Sequence, residues 1–163
     1  MKGAKTWMIQ LLPALMVIAV DQMTKLAVLR TLPPYDAIPV IPGFLNLVHV
    51  RNPGIAFGLL SQLGEAWSGL ILSVCTTAAV ILLVVWFARL RDNDRRTAFG
   101  LSLVIGGAIG NLIDRVRLKE VVDFLDFYVG SFHWPAFNVA DSAVTVGAVW
   151  LALSILFEPS SGE

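Results

Sequence analysis

The sequence predicts an integral membrane protein, mainly α, in which four transmembrane helices carry a small β-sheet on the extracytoplasmic face. The first observation is composition: of 163 residues, 56% are hydrophobic and only 15% are charged, far from the averages of soluble domains. The second is the presence of four stretches apolar and long enough to cross a bilayer, which takes about 20 helical residues. The third is a set of short β-rich runs between those stretches. This length predicts one membrane domain, residues 1–163.

The four predicted spans are residues 7–28, 67–88, 97–113 and 140–157. We expect the first to stay in the protein as a helix, because Asp21, Gln22 and Lys25 lie towards its end and no convincing small-residue cleavage site follows. In the third span, Gly106 and Gly110 have the small-xxx-small spacing that lets a neighbouring helix approach closely. Close packing is the role that we assign to these two glycines.

Basic residues predict the orientation of the chain. The connection between the second and third spans contains four arginines, and the N-terminus contains two lysines: Arg89, Arg91, Arg95, Arg96, Lys2 and Lys5. Short cytoplasmic loops are enriched in such residues. Both termini are therefore predicted to be cytoplasmic, and the segments 29–66 and 114–139 are predicted to lie outside.

The outer segments have the composition of a folded unit. Residues 38–44 and 45–50 are short β-rich runs separated near Pro42 and Gly43, which predicts a strand pair. Residues 121–129 are β-branched and aromatic, and 131–137 is a further strand candidate. Residues 58–65 are expected to form a short interfacial helix.

Two aspartates beside apolar stretches, Asp123 and Asp141, are the most informative polar residues. A carboxylate near hydrocarbon is costly unless it is paired, solvated or used, and two carboxyl groups brought together can share one proton and activate water. Alternation along a strand puts Asp123 and Asp126 on opposite faces, so one of them faces Asp141, and the pattern alone leaves open which one. Asp141 also has a structural alternative, as residue N3 of a helix capped by Asn138.

Other polar residues lie at the same predicted membrane face, each with a structural alternative. Asp21 and Lys25 are four residues apart and can form an intrahelical ion pair. The third span ends with a polar group, which helix capping and interface anchoring would also explain: Asn111, Asp114 and Arg115. Asn52 begins an Asn-Pro-Gly turn, yet its amide could also hold an extended backbone.

Several classes of function are disfavoured by the sequence. A formal net charge of zero gives no basic surface for nucleic acid. The spacing of His49, His133 and Cys75 does not suggest a metal site or a Cys-His pair, so no metal or cofactor is predicted. A small proton-coupled transporter is the alternative function, although its acids would usually lie near the bilayer midplane within an inverted repeat. A non-enzymatic scaffold would need none of the outer polar groups.

Five sequence blocks, in order along nearly the whole chain, resemble the signature blocks of bacterial lipoprotein signal peptidase, also called signal peptidase II. They start at Asp21 (DQMTK), Asn52 (NPGIAF), Gly106 (GGAIGNLIDR), Val121 (VVDF) and Phe137 (FNVADSA). The resemblance implies that Asp123 and Asp141 form a catalytic dyad, which selects Asp123 over Asp126. It also implies a set of substrate-binding or site-supporting residues: Asp21, Lys25, Asn52, Gly54, Asn111, Asp114, Arg115 and Asn138.

The reaction implied by this resemblance is removal of the signal peptide from a diacylglyceryl-modified prolipoprotein, by cleavage before the lipidated cysteine. The implied enzyme is an aspartic endopeptidase without cofactor, with prolipoprotein and membrane lipid as its partners. The resemblance places it as a multi-pass protein in the bacterial inner membrane with its active site facing outward. We expect it to be a monomer.

Overall fold

The computed structural model of the protein describes residues 4–54, 65–90 and 94–157. In chain order the elements are α1 (Ala4–Thr31), β1 (Ala37–Ile41), β2 (Leu45–Asn52), α2 (Glu65–Arg89), α3 (Arg95–Leu118), β3 (Val121–Val129), β4 (Phe132–His133) and α4 (Val139–Leu156). All four helices are long and apolar enough to cross a membrane. The predicted fold class, four membrane-length helices with a small β-sheet, is confirmed, and the side of the membrane on which the sheet lies stays a prediction. The short helix predicted at 58–65 lies almost entirely outside the described residues.

Helix α3 lies at the centre of the bundle and packs against α1, α2 and α4. Its apolar window is 56% buried, whereas that of α2 is only 6% buried. Glycines allow the close contacts of α3, because an added Cβ would lie under 3.0 Å from an atom of α1 or α4 at four positions: Gly100, Gly106, Gly107 and Gly110. A Cβ at Gly106 would lie 2.8 Å from the carbonyl oxygen of Ala14 in α1, and one at Gly107 would collide with the carbonyl of Ala140 in α4. The ends of α1 and α4 that bear aspartates are thereby held against α3.

Helix α3 is longer than the predicted span 97–113. It continues to Leu118 and ends at Lys119, which adopts a left-handed conformation with φ 68°. Asn111 and Asp114 therefore lie inside the helix, where they are buried. The hydropathy of this segment falls because of its polar residues, but the helix continues because neighbouring elements supply partners for those residues.

The four strands form an antiparallel sheet in the order β1-β2-β3-β4. Strand β4 is shorter than the 131–137 prediction, and Phe137 adds only an isolated bridge to Leu125. The pairing of β2 with β3 is irregular between Leu47 and Val50, and Val50 pairs with Asp123. Within this irregularity the Nδ1 of His49 lies 2.8 Å from the carbonyl oxygen of Leu32, just after α1. The sheet is thus attached to the end of α1.

A small apolar core joins the sheet to the helices. It consists of Val28 and Leu32 from the α1 end of the chain and Val122 and Phe124 from β3. Burying such side chains contributes roughly 1.5–3 kcal/mol each. This core fixes the first residues of β3 over the polar end of α1.

Candidate active site

A buried lysine joins three polar residues from α1 and α3. The Nζ of Lys25 lies 2.9 Å from Asp21 Oδ2, 2.9 Å from Asp114 Oδ2 and 2.8 Å from Asn111 Oδ1. An ammonium group has three N–H donors, so each of them is used. The intrahelical Asp21–Lys25 pair therefore exists, and it is part of a larger cluster.

The two carboxylates of this cluster also accept backbone N–H groups from the elements that carry Asp123 and Asp141. Asp21 Oδ1 accepts the N–H of Ala140, in the first turn of α4, at 2.9 Å. Asp114 Oδ2 accepts the N–H of Val122, in β3, at 3.2 Å. The lysine cluster therefore positions both the start of α4 and the start of β3.

Asn138 contacts both Asp123 and Asp141. Its Nδ2 donates to Asp123 Oδ1 at 2.7 Å, and its Oδ1 accepts the backbone N–H of Asp141 at 2.9 Å. The side chain is fully buried. The side chain of Asn111, which also binds Lys25, donates to Asp141 Oδ1 at 2.7 Å and accepts from Asn138 at 3.2 Å. Two buried asparagines thus link both aspartates to the lysine cluster.

The capping alternative for Asp141 is present in the structure. Asn138 is the N-cap of α4, and Asp141 Oδ2 accepts the backbone N–H of Asn138 at 3.3 Å, which completes a capping box. The cap does not exclude a chemical role, because Asp141 is only half-buried. Its two oxygens are instead held in fixed directions.

Asp123 is held more deeply, with 2% of its surface exposed. Its second oxygen, Oδ2, accepts from Asn52 Nδ2 at 3.0 Å. Burial is the largest cause that raises the pKa of Asp123, and nearby Asp141 also raises it. The hydrogen bonds from Asn52 and Asn138 and the charge of Lys25 favour the ionised form, and the pKa that results is about 6. Because the folded protein binds this proton more tightly than the unfolded chain, the contribution of Asp123 to stability declines as pH rises from 3.8 towards about 6.

Asp126 lies in a different environment on the same strand. It accepts from Asn46 Nδ2 at 2.9 Å, and the Nδ1 of His133 lies 2.9 Å from its Oδ1. Burial alone would raise the pKa of Asp126, but the bonds from Asn46 and His133 outweigh it and lower that pKa. Within the described residues, Asp126 has no hydrogen bond to Asn138 or Asn111. The face of β3 that carries Asp123 is therefore the one that contacts Asn138 in the candidate site.

Arg115 and Gly54 complete the predicted set. Arg115 interacts electrostatically with Asp141, Asp123 and Asp114, and within the described part of the chain its guanidinium makes no side-chain hydrogen bond. Gly54 has φ 86°, donates its N–H to Asn52 Oδ1 at 2.8 Å, and leaves no room for a Cβ because Leu72 of α2 is in contact. The turn after β2 is thereby set by Asn52, whose other amide atom binds Asp123.

One residue of the site has no role in the sequence predictions. Gln22 Nε2 lies 3.0 Å from Asp114 Oδ1 and 3.2 Å from Asp21 Oδ2 and from the carbonyl oxygen of Gly110. The amide of Gln22 therefore donates hydrogen bonds to both carboxylates of the lysine cluster. Its position next to Asp21 could have indicated a role in the site. However, adjacent residues of a helix are rotated by about 100° about its axis and so lie on different faces. Among the described residues, no group of three or more His, Cys, Asp and Glu could hold a metal ion.

Comparison with known proteins places the same segment in one family. The family described as signal peptidase (SPase) II matches residues 13–157. A protein of Syntrophotalea carbinolica named lipoprotein signal peptidase is 49% identical over 147 residues, covering 90% of this chain and 89% of its own. A protein of the same name from Desulforapulum autotrophicum is 48% identical over 143 residues, with 86% and 87% covered.

Solved structures agree in fold. Two chains, each described as a bacterial membrane enzyme, superpose on this one with a TM-score of 0.81 at 35% identity. The first covers 94% of this chain and 91% of its own, and the second 92% and 94%. The likeness therefore extends over the helices and the sheet together.

Proposed function

This chain belongs to the signal peptidase II family and is an aspartic peptidase with several membrane-spanning helices, and from that premise we propose that Asp123 and Asp141 are its catalytic pair. The observation that carries the proposal is the shared partner Asn138, which donates to Asp123 and accepts from the backbone of Asp141. The substrate is a prolipoprotein with a diacylglyceryl-modified cysteine, cleaved on the N-terminal side of that cysteine.

In the proposed reaction one carboxyl group is ionised and the other is protonated. Asp141, half-buried and open to solvent, takes a proton from water while the water oxygen attacks the scissile carbonyl carbon. Asp123, whose pKa is raised to about 6 by burial, donates its proton to the carbonyl oxygen. Collapse of the tetrahedral intermediate breaks the C–N bond, and the departing amine takes up the proton held by Asp141. As the carbonyl group re-forms, a hydroxyl proton of the intermediate returns to Asp123, which restores the starting protonation of the pair.

The remaining predicted residues hold or complement this pair. The lysine cluster and the two asparagines orient the carboxylates, which is the preorganisation that catalysis requires. Arg115, a cation beside the dyad whose guanidinium makes no side-chain hydrogen bond in the described chain, binds a peptide carbonyl of the substrate. A Ser-Lys mechanism is not favoured, because the Ser142 hydroxyl donates to the carbonyl of Asn138 at 2.9 Å and the donors of Lys25 are already used.

The acids also argue against the transporter alternative. A transport site would place them near the midplane of the bundle. Asp141 instead lies in the first turn of α4, and the carboxylates of Asp21 and Asp114 accept backbone N–H groups from the start of α4 and the start of β3, so the acids lie in the half of the bundle next to the sheet. This arrangement suits cleavage at a membrane surface, where lipidation holds the scissile bond. The enzyme acts as a monomer among membrane lipids.

The proposed function is tested by incubating the purified protein in detergent with a lipidated precursor and with the same precursor lacking the diacylglyceryl group. We expect cleavage of the lipidated form before its cysteine. Mass spectrometry identifies the product. One product that begins with the lipidated cysteine would support the assignment. Equal cleavage of both precursors would show that the lipid is not recognised.

A pH profile of kcat/KM tests the proton on Asp123. Because the pKa of Asp123 is raised to about 6, we expect kcat/KM to fall as pH rises through about 6, where the free enzyme loses the proton of the acid. Asn52→Ala removes a hydrogen bond that favours the ionised form, so the descending limb should move to higher pH. A limb that stays in place, or moves to lower pH, would assign the ionisation to another group.

We also propose that both termini are cytoplasmic and that the sheet and the dyad face outward, as the arginines between α2 and α3 indicate. A cysteine introduced at Ser131, which is exposed, in a Cys75→Ser background should react with a membrane-impermeant maleimide in intact spheroplasts. A cysteine at Asn93 should react only after lysis. The reverse labelling would place the dyad in the cytoplasm, away from a translocated precursor.

A further inference from the structure

At the end of the bundle opposite the dyad, a cleft runs between α1 and α3. Its polar mouth, about 320 Å³, is lined by Ile9, Gln10, Pro13, Arg95 and Phe99. A contiguous part of about 370 Å³ shares three of these residues and continues along the helices between wholly apolar side chains: Leu12, Met16, Val17 and Leu103. From Ile9 to Val17 the helical rise is about 12 Å, so the cleft leads from the helix ends well into the hydrocarbon depth.

The polar mouth carries one cation. Arg95 is exposed and forms no salt bridge with any residue that the structure describes. Pro13 has no N–H to donate to the carbonyl of Ile9, four residues earlier in α1, so that acceptor also lies at the mouth. The cleft therefore combines a positive entrance, a backbone acceptor and a long apolar floor.

We propose that this cleft binds an anionic phospholipid, with its phosphate at Arg95 and one acyl chain along Leu12, Met16 and Leu103. Arginine suits a phosphate because its planar fork donates two parallel hydrogen bonds. A hydroxyl of the head group can donate to the carbonyl of Ile9. The lipid fills the groove between α1 and α3, and it stabilises their packing at the end of the bundle away from the catalytic pair.

Charge selects this occupant over two others. A signal peptide is apolar in its core but has a basic N-terminal region, which Arg95 would repel. A second copy of this chain would bring the basic ends of its own helices to the same level, including Arg95 and Arg96. A phospholipid with a negative head group matches both ends of the cleft, and anionic lipid is attracted to basic residues beside a membrane helix.

Native mass spectrometry of the full chain, titrated in detergent with phosphatidylglycerol or phosphatidylcholine of identical acyl chains, tests the proposal. One arginine near the surface is expected to favour the anionic lipid about fivefold in the first binding event. Arg95→Gln should abolish that preference. Arg89→Gln, which removes the same charge at the same end of the bundle but lines neither part of the cleft, should keep it.

A second variant tests the apolar half. Leu12 is 53% exposed, so Leu12→Trp can fill the groove without disturbing the core. The variant should lower the affinity for both lipids severalfold, while the preference for phosphatidylglycerol remains. Cleavage activity in micelles, unchanged in all three variants, confirms that they are folded.

Four results would overturn the proposal. Equal affinity for the two lipids, or equal loss in Arg89→Gln, would show that no specific site exists. Full competition by inorganic phosphate would show an anion site without an acyl chain. A dimer that Leu12→Trp dissociates would assign the cleft to a second copy of the chain.

Discussion

Replacing either Asp123 or Asp141 with asparagine is expected to reduce cleavage of a lipidated precursor by about 10²–10⁴-fold or more, the usual contribution of a positioned acid or base. An amide can neither take a proton from water nor give one to the scissile carbonyl. Each carboxylate receives its hydrogen bonds from amide N–H groups, from Asn138 and Asn52 for Asp123 and from Asn111 for Asp141. The asparagine amide has the shape of the carboxylate, but its NH2 group faces an N–H donor where a carboxylate oxygen accepted, so one hydrogen bond is lost together with the chemistry.

Asp126→Asn is the matched control for this experiment. It makes the same chemical change on the same strand, but Asp126 binds Asn46 and His133 on the other side. We expect it to retain activity close to that of the unmodified protein. Thermal unfolding of each purified variant separates lost chemistry from lost structure. If Asp141→Asn keeps its activity, the role of Asp141 is that of a helix cap and not of a catalytic acid or base. If Asp126→Asn inactivates the protein as strongly as Asp123→Asn, the face of β3 that carries Asp126 could equally be the catalytic one.

Lys25→Met is expected to lower the free energy of unfolding by about 3–5 kcal/mol, the usual cost of removing one partner from a buried ion pair. Lys25 is 2% exposed, and its two carboxylate partners, Asp21 and Asp114, are 0% and 3% exposed. Without the ammonium group the two carboxylates repel each other, and because they are buried, water does not screen the repulsion. Unfolding in detergent, followed by circular dichroism, measures the loss.

A surface ion pair provides the control for Lys25→Met. Arg51 and Glu120 lie 3.9 Å apart with side chains 39% and 32% exposed, so Arg51→Gln should cost less than about 1 kcal/mol. Adding Asp114→Asn to Lys25→Met removes one of the opposed charges and should restore part of the stability, but not the cleavage. If Lys25→Met unfolds like the unmodified protein, the lysine cluster does not support the site.

The helices were predictable from sequence because a bilayer imposes a length of apolar residues that composition reveals directly. The end of α3 was not predictable from sequence, because Asn111 and Asp114 lower the hydropathy of the helix and their partner Lys25 lies far away in the chain. Hydropathy counts a polar residue as unfavourable whether or not it has a partner. The sheet was predicted at β1, β2 and β3, but β4 is shorter than expected. After His133 the segment keeps a hydrogen bond from the N–H of Trp134 to the carbonyl of Phe127 and an isolated bridge at Phe137, which do not extend the strand.

The candidate site shows a similar division. Strand alternation separated Asp123 from Asp126, and the resemblance selected Asp123, but the contacts that distinguish them come from Asn52, Asn138 and His133 on other elements. Gln22 was not predicted because its partners are brought to it only by the packing of α1 on α3. Residue types and spacing thus led to a prediction of which groups carry chemistry, while the network that orients those groups depends on tertiary structure.

The dependence of both aspartates on Asn138 has a consequence for the biogenesis of this protein. Asn138 is the residue that starts α4, the final membrane helix, and its side chain reaches β3 to bind Asp123. A nascent chain that has inserted only its first three helices therefore holds Asp123 without the partner that orients it, and without Asp141. If Asp123 and Asp141 are the catalytic pair, as proposed, the chain becomes able to cleave only once its last helix has docked.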